Sequence, residues 1–113
     1  MITNGTKDNF RTIVRQPGIV LIDFWAPWCG PCRAFAPIFE AAAQRYPDVK
    51  FVKVNTDEEQ ELASAFRISS IPTLMAVKDG ELVFSRPGML PRAALDQLIA
   101  KLESLAPKAA KSV

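Results

Sequence analysis

The apolar positions of this chain form strand-like runs separated by helix-like stripes. Residues 19–25 are apolar on both faces of an extended chain apart from Asp23, which is typical of a central strand covered by helices. Residues 49–54, 73–77 and 81–85 predict three more strands, and residues 1–3 predict a short edge strand. Asp79 and Gly80 separate the last two runs, which predicts a hairpin there.

Helical patterns fill the intervals between these strands. Thr6 is the predicted N-cap of a first, short helix. A long helix follows the turn at residues 26–31, and residues 56–59 form a capping-box pattern that opens a third helix. Pro91 fits the first turn of a final helix, which we expect to end at Pro107.

The order of these elements predicts the fold class. Strand, helix, strand, helix, strand, helix, hairpin and helix follow one another, so right-handed crossovers make the first strands parallel. The hairpin adds an antiparallel strand at one edge. We therefore expect an α/β fold in which helices flank both faces of a central mixed β-sheet. Residues 1–106 are predicted to form a single domain, followed by a short flexible tail at residues 107–113.

The composition excludes several kinds of catalytic site. The 113 residues include two cysteines and no histidine. Ser-His-Asp triads, Cys-His dyads and histidine-liganded metals are therefore excluded. Two cysteines cannot complete a four-ligand zinc site unless carboxylates or a second chain supply the rest. Any enzymatic chemistry must use cysteine, a carboxylate, lysine or a cofactor.

The charge and the apolar runs bear on partners and location. The net charge of +2 comes from 14 basic and 12 acidic residues, and the basic residues do not cluster, so we expect no nucleic-acid partner. The apolar run at residues 19–25 is too short to cross a membrane, and residues 1–10 lack the apolar centre of a signal peptide. We expect a monomeric cytoplasmic protein in which a purely structural disulfide is disfavoured.

The two cysteines lie between the central strand and the long helix, in the segment Trp28-Cys29-Gly30-Pro31-Cys32. In a first helical turn, this spacing brings their Cα atoms within the roughly 4.4–6.8 Å that a disulfide requires. Cys29 falls near the N-cap, where the helix dipole favours a thiolate, and Cys32 lies one turn further in, against the core. The position favours a redox dithiol over half of a zinc site or two inert packing residues.

Asp23 is an acid within the apolar central strand, six residues before Cys29. Strand alternation places it on the same face as Leu21 and Trp25, so we expect it to be buried. Burial raises the pKa of a carboxyl group, and a carboxyl that titrates near neutrality can accept and donate protons. A structural ion pair with Lys53 on the neighbouring strand is a second interpretation, compatible with the first.

A family resemblance is carried by four separated segments. Residues 23–32 read Asp-Phe-Trp-Ala-Pro-Trp-Cys-Gly-Pro-Cys and closely resemble the active-site segment of bacterial thioredoxins. Residues 51–55 (Phe-Val-Lys-Val-Asn), residues 71–73 (Ile-Pro-Thr) and Gly88 match further landmarks of that family, in the same order. The resemblance extends from Phe10 to Leu105 and implies the thioredoxin fold.

The resemblance implies a protein thiol–disulfide oxidoreductase that reduces client disulfides through a mixed disulfide. In that interpretation Cys29 is the nucleophile, Cys32 is the resolving cysteine, and the two form a disulfide when oxidised. Gly30 and Pro31 support the motif. The Gly-Pro pair between the cysteines of this chain resembles that of reducing members of the family. Oxidases and isomerases usually carry a histidine between the cysteines.

The resemblance also implies how protons and electrons are supplied. Asp23 is the buried acid that helps to deprotonate Cys32, with Lys53 as its partner. No cofactor is expected to be bound, and NADPH is used only indirectly, through a thioredoxin reductase. That reductase and disulfide-containing client proteins are the expected partners.

The expected client surface is an apolar rim around an exposed Cys29 sulfur, made by Trp28, Ile71, Pro72, Gly88 and Met89. Base rates favour a trans bond before Pro72, whereas the family resemblance implies a cis bond.

Two other functions remain open at this point. The chain could be a binding subunit with incidental thiols, or a dimer bridged by metal through two Cys-x-x-Cys pairs.

Overall fold

A computed structural model describes residues 1–106, which contain five strands and four helices. The strands are β1 (Ile2–Asn4), β2 (Ile19–Trp25), β3 (Lys50–Asn55), β4 (Thr73–Lys78) and β5 (Glu81–Pro87). The helices are α1 (Phe10–Val14), α2 (Gly30–Arg45), α3 (Gln60–Ala65) and α4 (Arg92–Ser104). The predicted tail at residues 107–113 lies outside the described residues. Within residues 1–106, every helix is too short or too polar to cross a membrane.

The strands form one mixed sheet in the order β1-β3-β2-β4-β5. Strand β3 is parallel to both β1 and β2, whereas β4 is antiparallel to both β2 and β5. The predicted mixed α/β architecture is confirmed, as are the edge strand β1 and the hairpin at Asp79. The hairpin contributes two strands, and β4 lies inside the sheet, next to β2.

Two apolar cores cover the two faces of the sheet. The first contains Phe39 of α2 and Ile99 of α4, and the second contains Phe10 of α1, with α3 at its margin. Strand β2 contributes to both, because successive side chains of a strand point to opposite faces. Leu21 packs into the first core and Phe24 into the second. The alternation therefore places Asp23 on the face that α2 covers.

The helix starts differ from the predicted caps. Helix α1 begins at Phe10 with Asn9 as its N-cap, because the Thr6 hydroxyl and the Asn9 side chain each accept a hydrogen bond from the other residue's backbone N–H. Pro91 is the residue before α4, one position earlier than predicted, and the helix ends at Ser104.

The predicted capping box at residues 56–59 is wrong. Helix α3 begins at Gln60, and its N-cap residue Glu59 makes no side-chain capping bond. The side-chain oxygen of Asn55 instead accepts hydrogen bonds from the backbone N–H groups of Asp57 and Glu58. These bonds fold residues 55–58 into a turn of their own, which delays the start of the helix.

Candidate active site

The two cysteines lie at the first turn of α2 and are joined by a disulfide bond. Cys29 is the N-cap residue, with extended backbone angles, and its Cα atom lies 5.2 Å from that of Cys32. This confirms the disulfide pairing and the predicted N-cap position. Pro31, in the first turn, lacks an N–H that would have no helical partner there.

The first turn of α2 favours a negative charge on the Cys29 sulfur. Its Sγ accepts a hydrogen bond of 3.2 Å from the backbone N–H of Cys32, at the positive end of the α2 dipole. The carbonyl oxygen of Ile71 lies 3.7 Å from the same sulfur. When the disulfide opens, the helix N-terminus therefore stabilises a Cys29 thiolate.

The disulfide is less accessible than the sequence predicts. Cys29 is 4% exposed and Cys32 is 2% exposed, so the expectation of an exposed Cys29 sulfur is wrong for this disulfide-bonded form. The cause is the approach of the Ile71 segment to Cys29, together with the bond to Cys32.

Asp23 is buried as predicted, with no exposed surface. Neither of its carboxylate oxygens has a hydrogen-bond partner within residues 1–106. Burial raises the pKa of this carboxyl to about 7, although the positive charge of Lys53 opposes the rise. Asp23 can therefore exchange a proton near neutral pH.

Lys53 is directly opposite Asp23 in the pairing of β2 with β3. Their predicted ion pair is nevertheless wrong, since no salt bridge joins them in the described chain. The Lys53 Nζ atom instead lies 4.3 Å from the centroid of the Trp25 ring, in a cation–π contact. Lys53 acts on Asp23 through its charge and not through a hydrogen bond.

Four of the predicted rim residues lie together opposite the cysteines. The Ile71–Pro72 bond is cis, in agreement with the resemblance and against the base rate. Gly88 has a φ of 95°, which favours glycine, and its N–H donates to the Pro72 carbonyl. Met89 follows Gly88 and is 38% exposed. With the Ile71 carbonyl facing Cys29, this group of residues borders the disulfide.

Trp28, the fifth rim residue, is 67% exposed, which leaves a large apolar surface next to Cys29. Its indole N–H lies 3.1 and 3.2 Å from the two carboxylate oxygens of Asp57. Sequence reasoning missed this role of Asp57, which it placed in the capping box. No local signal marks the contact, because the two residues are 29 positions apart.

Two further contacts that the sequence did not reveal hold the backbone around the disulfide. The hydroxyl of Thr73, a buried residue at the start of β4, donates to the Ser70 carbonyl. The guanidinium of Arg33 donates to the Pro27 carbonyl. Within residues 1–106, no three Cys, Asp or Glu side chains are grouped as metal ligands would be.

Comparison with known proteins gives a consistent result. A family model described as Thioredoxin matches residues 1–101. Thioredoxin from Bacillus subtilis is 49% identical over 101 residues, which are 88% of this chain and 96% of that protein. Thioredoxin 1 from Synechococcus elongatus is 50% identical over 98 residues, 85% of this chain and 92% of that protein. A solved structure of a mutant thioredoxin from Halobacterium salinarum has a TM-score of 0.85 at 34% identity, covering 94% of each chain.

Proposed function

This chain belongs to the thioredoxin family, and from that premise we propose how its residues divide the work of a thiol–disulfide oxidoreductase. The protein acts on disulfide clients through the redox-active pair Cys29 and Cys32. The observation that supports the division of roles is their placement at the N-terminus of α2, with Asp23 buried on the sheet face that the helix covers.

Cys29 is the proposed nucleophile. In the reduced protein its thiolate attacks one sulfur of a client disulfide, so that a Cys29–client bond forms and the client's own S–S bond breaks. The other client sulfur leaves as a thiolate and takes a proton from water. The Cys32 N–H and the dipole of α2 support this step because they stabilise the attacking thiolate. Gly30 and Pro31 support the motif by continuing the chain directly into the helix.

Cys32 is the proposed resolving cysteine, and Asp23 its proton acceptor. The Cys32 thiol loses its proton to the Asp23 carboxylate and its sulfur attacks Cys29, which forms the Cys29–Cys32 disulfide and releases the client as its second thiolate. Two electrons thus pass from the dithiol to the client. The pKa of Asp23, about 7 because of burial, suits proton uptake at neutral pH. The Lys53 charge keeps that pKa from rising further.

The proposed client surface consists of Trp28, Ile71, Pro72, Gly88 and Met89. Exposed apolar side chains at Trp28 and Met89 suit apolar segments of many sequences. The backbone next to Pro72 can pair with an extended client segment, which orients the client disulfide towards Cys29. Such a surface accepts clients by shape and backbone rather than by one particular side chain.

Regeneration requires two electrons and two protons for each client disulfide reduced. We propose that a thioredoxin reductase supplies the electrons, ultimately from NADPH, so that the chain itself needs no bound cofactor. This pathway follows from family membership and from the use of a dithiol as the reductant. The monomeric state and the cytoplasmic location stay predictions from the sequence.

Trapping of mixed disulfides tests these roles. In Cys32→Ser the first step proceeds and the second cannot, so client proteins should accumulate on Cys29 and be released by dithiothreitol. Cys29→Ser is the matched control and should trap few proteins. If Cys32→Ser traps no more than this control, the assigned roles are wrong. The double variant Cys29→Ser, Cys32→Ser would retain biological activity only if the chain were a binding subunit.

A further inference from the structure

Arg33 donates hydrogen bonds to the two residues that flank Trp28, Pro27 and Cys29. Its guanidinium Nη1 donates a hydrogen bond of 3.1 Å to the Pro27 carbonyl oxygen. Its backbone N–H donates to the Cys29 carbonyl oxygen, also at 3.1 Å. The side chain therefore folds back from the first turn of α2 onto the loop that precedes the helix.

Few other bonds hold this loop. Pro27 has no N–H, and within the described chain the remaining turn bond of the loop runs from the Cys29 N–H to the Ala26 carbonyl, at 3.2 Å. The Trp28 indole is bonded away from the loop, to Asp57. Besides that turn bond and the disulfide at Cys29, the contact with Arg33 is a hydrogen bond that acts on the backbone of the loop at Pro27.

The Arg33 guanidinium is not engaged by a carboxylate. Among residues 1–106 no acidic side chain lies within 4.0 Å of it, and the residue is exposed. A planar guanidinium presents several N–H donors in a rigid fork, so that less conformational freedom is lost when it binds a backbone carbonyl. This chemistry suits a clamp on the loop.

We propose that Arg33 is a positioning residue for protein clients. By holding the Pro27 carbonyl, it orients the loop that presents Trp28 and Cys29 to a client. This inference rests on the proposed function, because it concerns the same site. Arg33 does not touch the reacting sulfurs. A small disulfide that reaches Cys29 without contacting Trp28 should therefore be insensitive to it, whereas a protein client should not.

The test compares Arg33→Gln with Arg15→Gln, which removes the same charge from an exposed arginine without an ion pair or side-chain hydrogen bond in the described chain. Substrates are insulin, as a protein disulfide, and hydroxyethyl disulfide, as a small one. For Arg33→Gln we expect the KM for insulin to rise about fivefold, equivalent to about 1 kcal/mol. The kcat for insulin and the rate with hydroxyethyl disulfide should stay within about twofold.

Measurements at high salt and by nuclear magnetic resonance distinguish loss of the Arg33–Pro27 hydrogen bond from loss of the positive charge of Arg33. The increase in KM should persist at about 1 M salt, where charges are screened beyond about 3 Å. In a ¹H–¹⁵N spectrum of the oxidised protein, Arg33→Gln should shift or broaden the Trp28 indole signal and leave that of Trp25 unchanged.

Three results would overturn the inference: loss of the effect at high salt, an equal effect of Arg15→Gln, or an equal loss of rate with both substrates. Failure of the unsubstituted protein to reduce insulin would instead contradict the proposed function.

Discussion

Burial sets the protonation of Asp23. Its carboxylate has no exposed surface and accepts no hydrogen bond within the described chain, so the charged form lacks the stabilisation that water provides. Its pKa rises to about 7 for that reason, although the Lys53 charge opposes the rise. A residue that would otherwise be fully ionised at neutral pH is therefore only partly ionised there.

The stability of the protein should depend on pH through this residue. The unfolded carboxyl titrates near 3.8 and the folded one near 7, so the folded state binds the proton more tightly. The free energy of unfolding should therefore fall as the pH rises from about 4 to about 7. Above that range the loss of stability caused by ionised Asp23 stays constant, at most on the order of 4 kcal/mol. Asp23→Asn removes the ionisation and should be the more stable protein above about pH 7.

Urea unfolding of the oxidised proteins at about pH 4 and about pH 8 measures this difference. Asp48→Asn, at an exposed position, is the control and should follow the unsubstituted protein at both values. A difference between Asp23→Asn and the unsubstituted protein that does not grow with pH would contradict the raised pKa.

Asp23→Asn should also separate the two chemical steps. Attack by Cys29 on a client should be nearly unchanged, because the α2 N-terminus stabilises that thiolate. Attack by Cys32 should slow by at least about tenfold, since a positioned base typically contributes more than that. Stopped-flow measurement of the formation and decay of the mixed disulfide resolves the steps. An unchanged decay rate at neutral pH would contradict the assignment of Asp23.

At the scale of elements, α4 is attached to the sheet by a lysine from β4. The Lys78 Nζ atom donates to the carbonyl oxygens of Leu102 and Leu105, at 2.5 and 2.9 Å. The last carbonyls of a helix have no partner within it, and a positive charge is favourable at that end. Lys78 therefore caps α4 from a different element of the fold.

Loss of this cap should loosen the end of α4. For Lys78→Met we expect the free energy of unfolding to fall by about 1–2 kcal/mol, because the side chain makes charged hydrogen bonds. Amide hydrogen exchange should accelerate around Leu102. Lys50→Met, at an exposed site without a side-chain hydrogen bond in the described chain, should change neither quantity by a comparable amount. Equal behaviour of the two variants would show that the cap contributes little.

At the scale of the whole molecule, the core between the sheet and helices α2 and α4 supports the disulfide site, which begins α2. Phe39 is fully buried there, with its ring centroid 5.7 Å from that of Phe35 and 5.1 Å from that of Phe51. On the other face, Phe66 packs against Phe10 but remains 36% exposed. Phe39 and Phe66 are therefore buried to different extents.

Truncation of these two rings should have unequal costs. Phe39→Ala should lower the free energy of unfolding by about 3–5 kcal/mol, because it leaves a cavity that rigid neighbours cannot fill. Phe66→Ala should cost less than half as much, since part of the ring is already in water. Urea unfolding of the oxidised proteins measures both values. Similar losses would mean that the α1–α3 face is packed as tightly as the α2–α4 face.

Prediction from the sequence succeeded where the signal is local. Alternating and continuous apolar runs located the strands, and the spacing of Cys29 and Cys32 anticipated their disulfide. The capping box at residues 56–59 failed although it is also a local pattern, because the N–H groups of Thr56 and Glu59 that it would use donate instead to the carbonyl oxygens of Trp25 and Asn55. A capping pattern in the sequence indicates which hydrogen bonds can form at the start of a helix. Only one of the competing sets of these bonds forms in the folded chain.

The sequence by itself determined the α/β fold, the dithiol at a helix N-terminus and the burial of Asp23, because each depends on neighbours along the chain. Only the tertiary structure decided that Lys53 contacts Trp25 instead of Asp23, and that Asp57 holds Trp28. It also decided how little of Cys29 is exposed. These outcomes depend on side chains from separate elements competing for the same partner within a few ångströms, and no spacing along the chain encodes that competition.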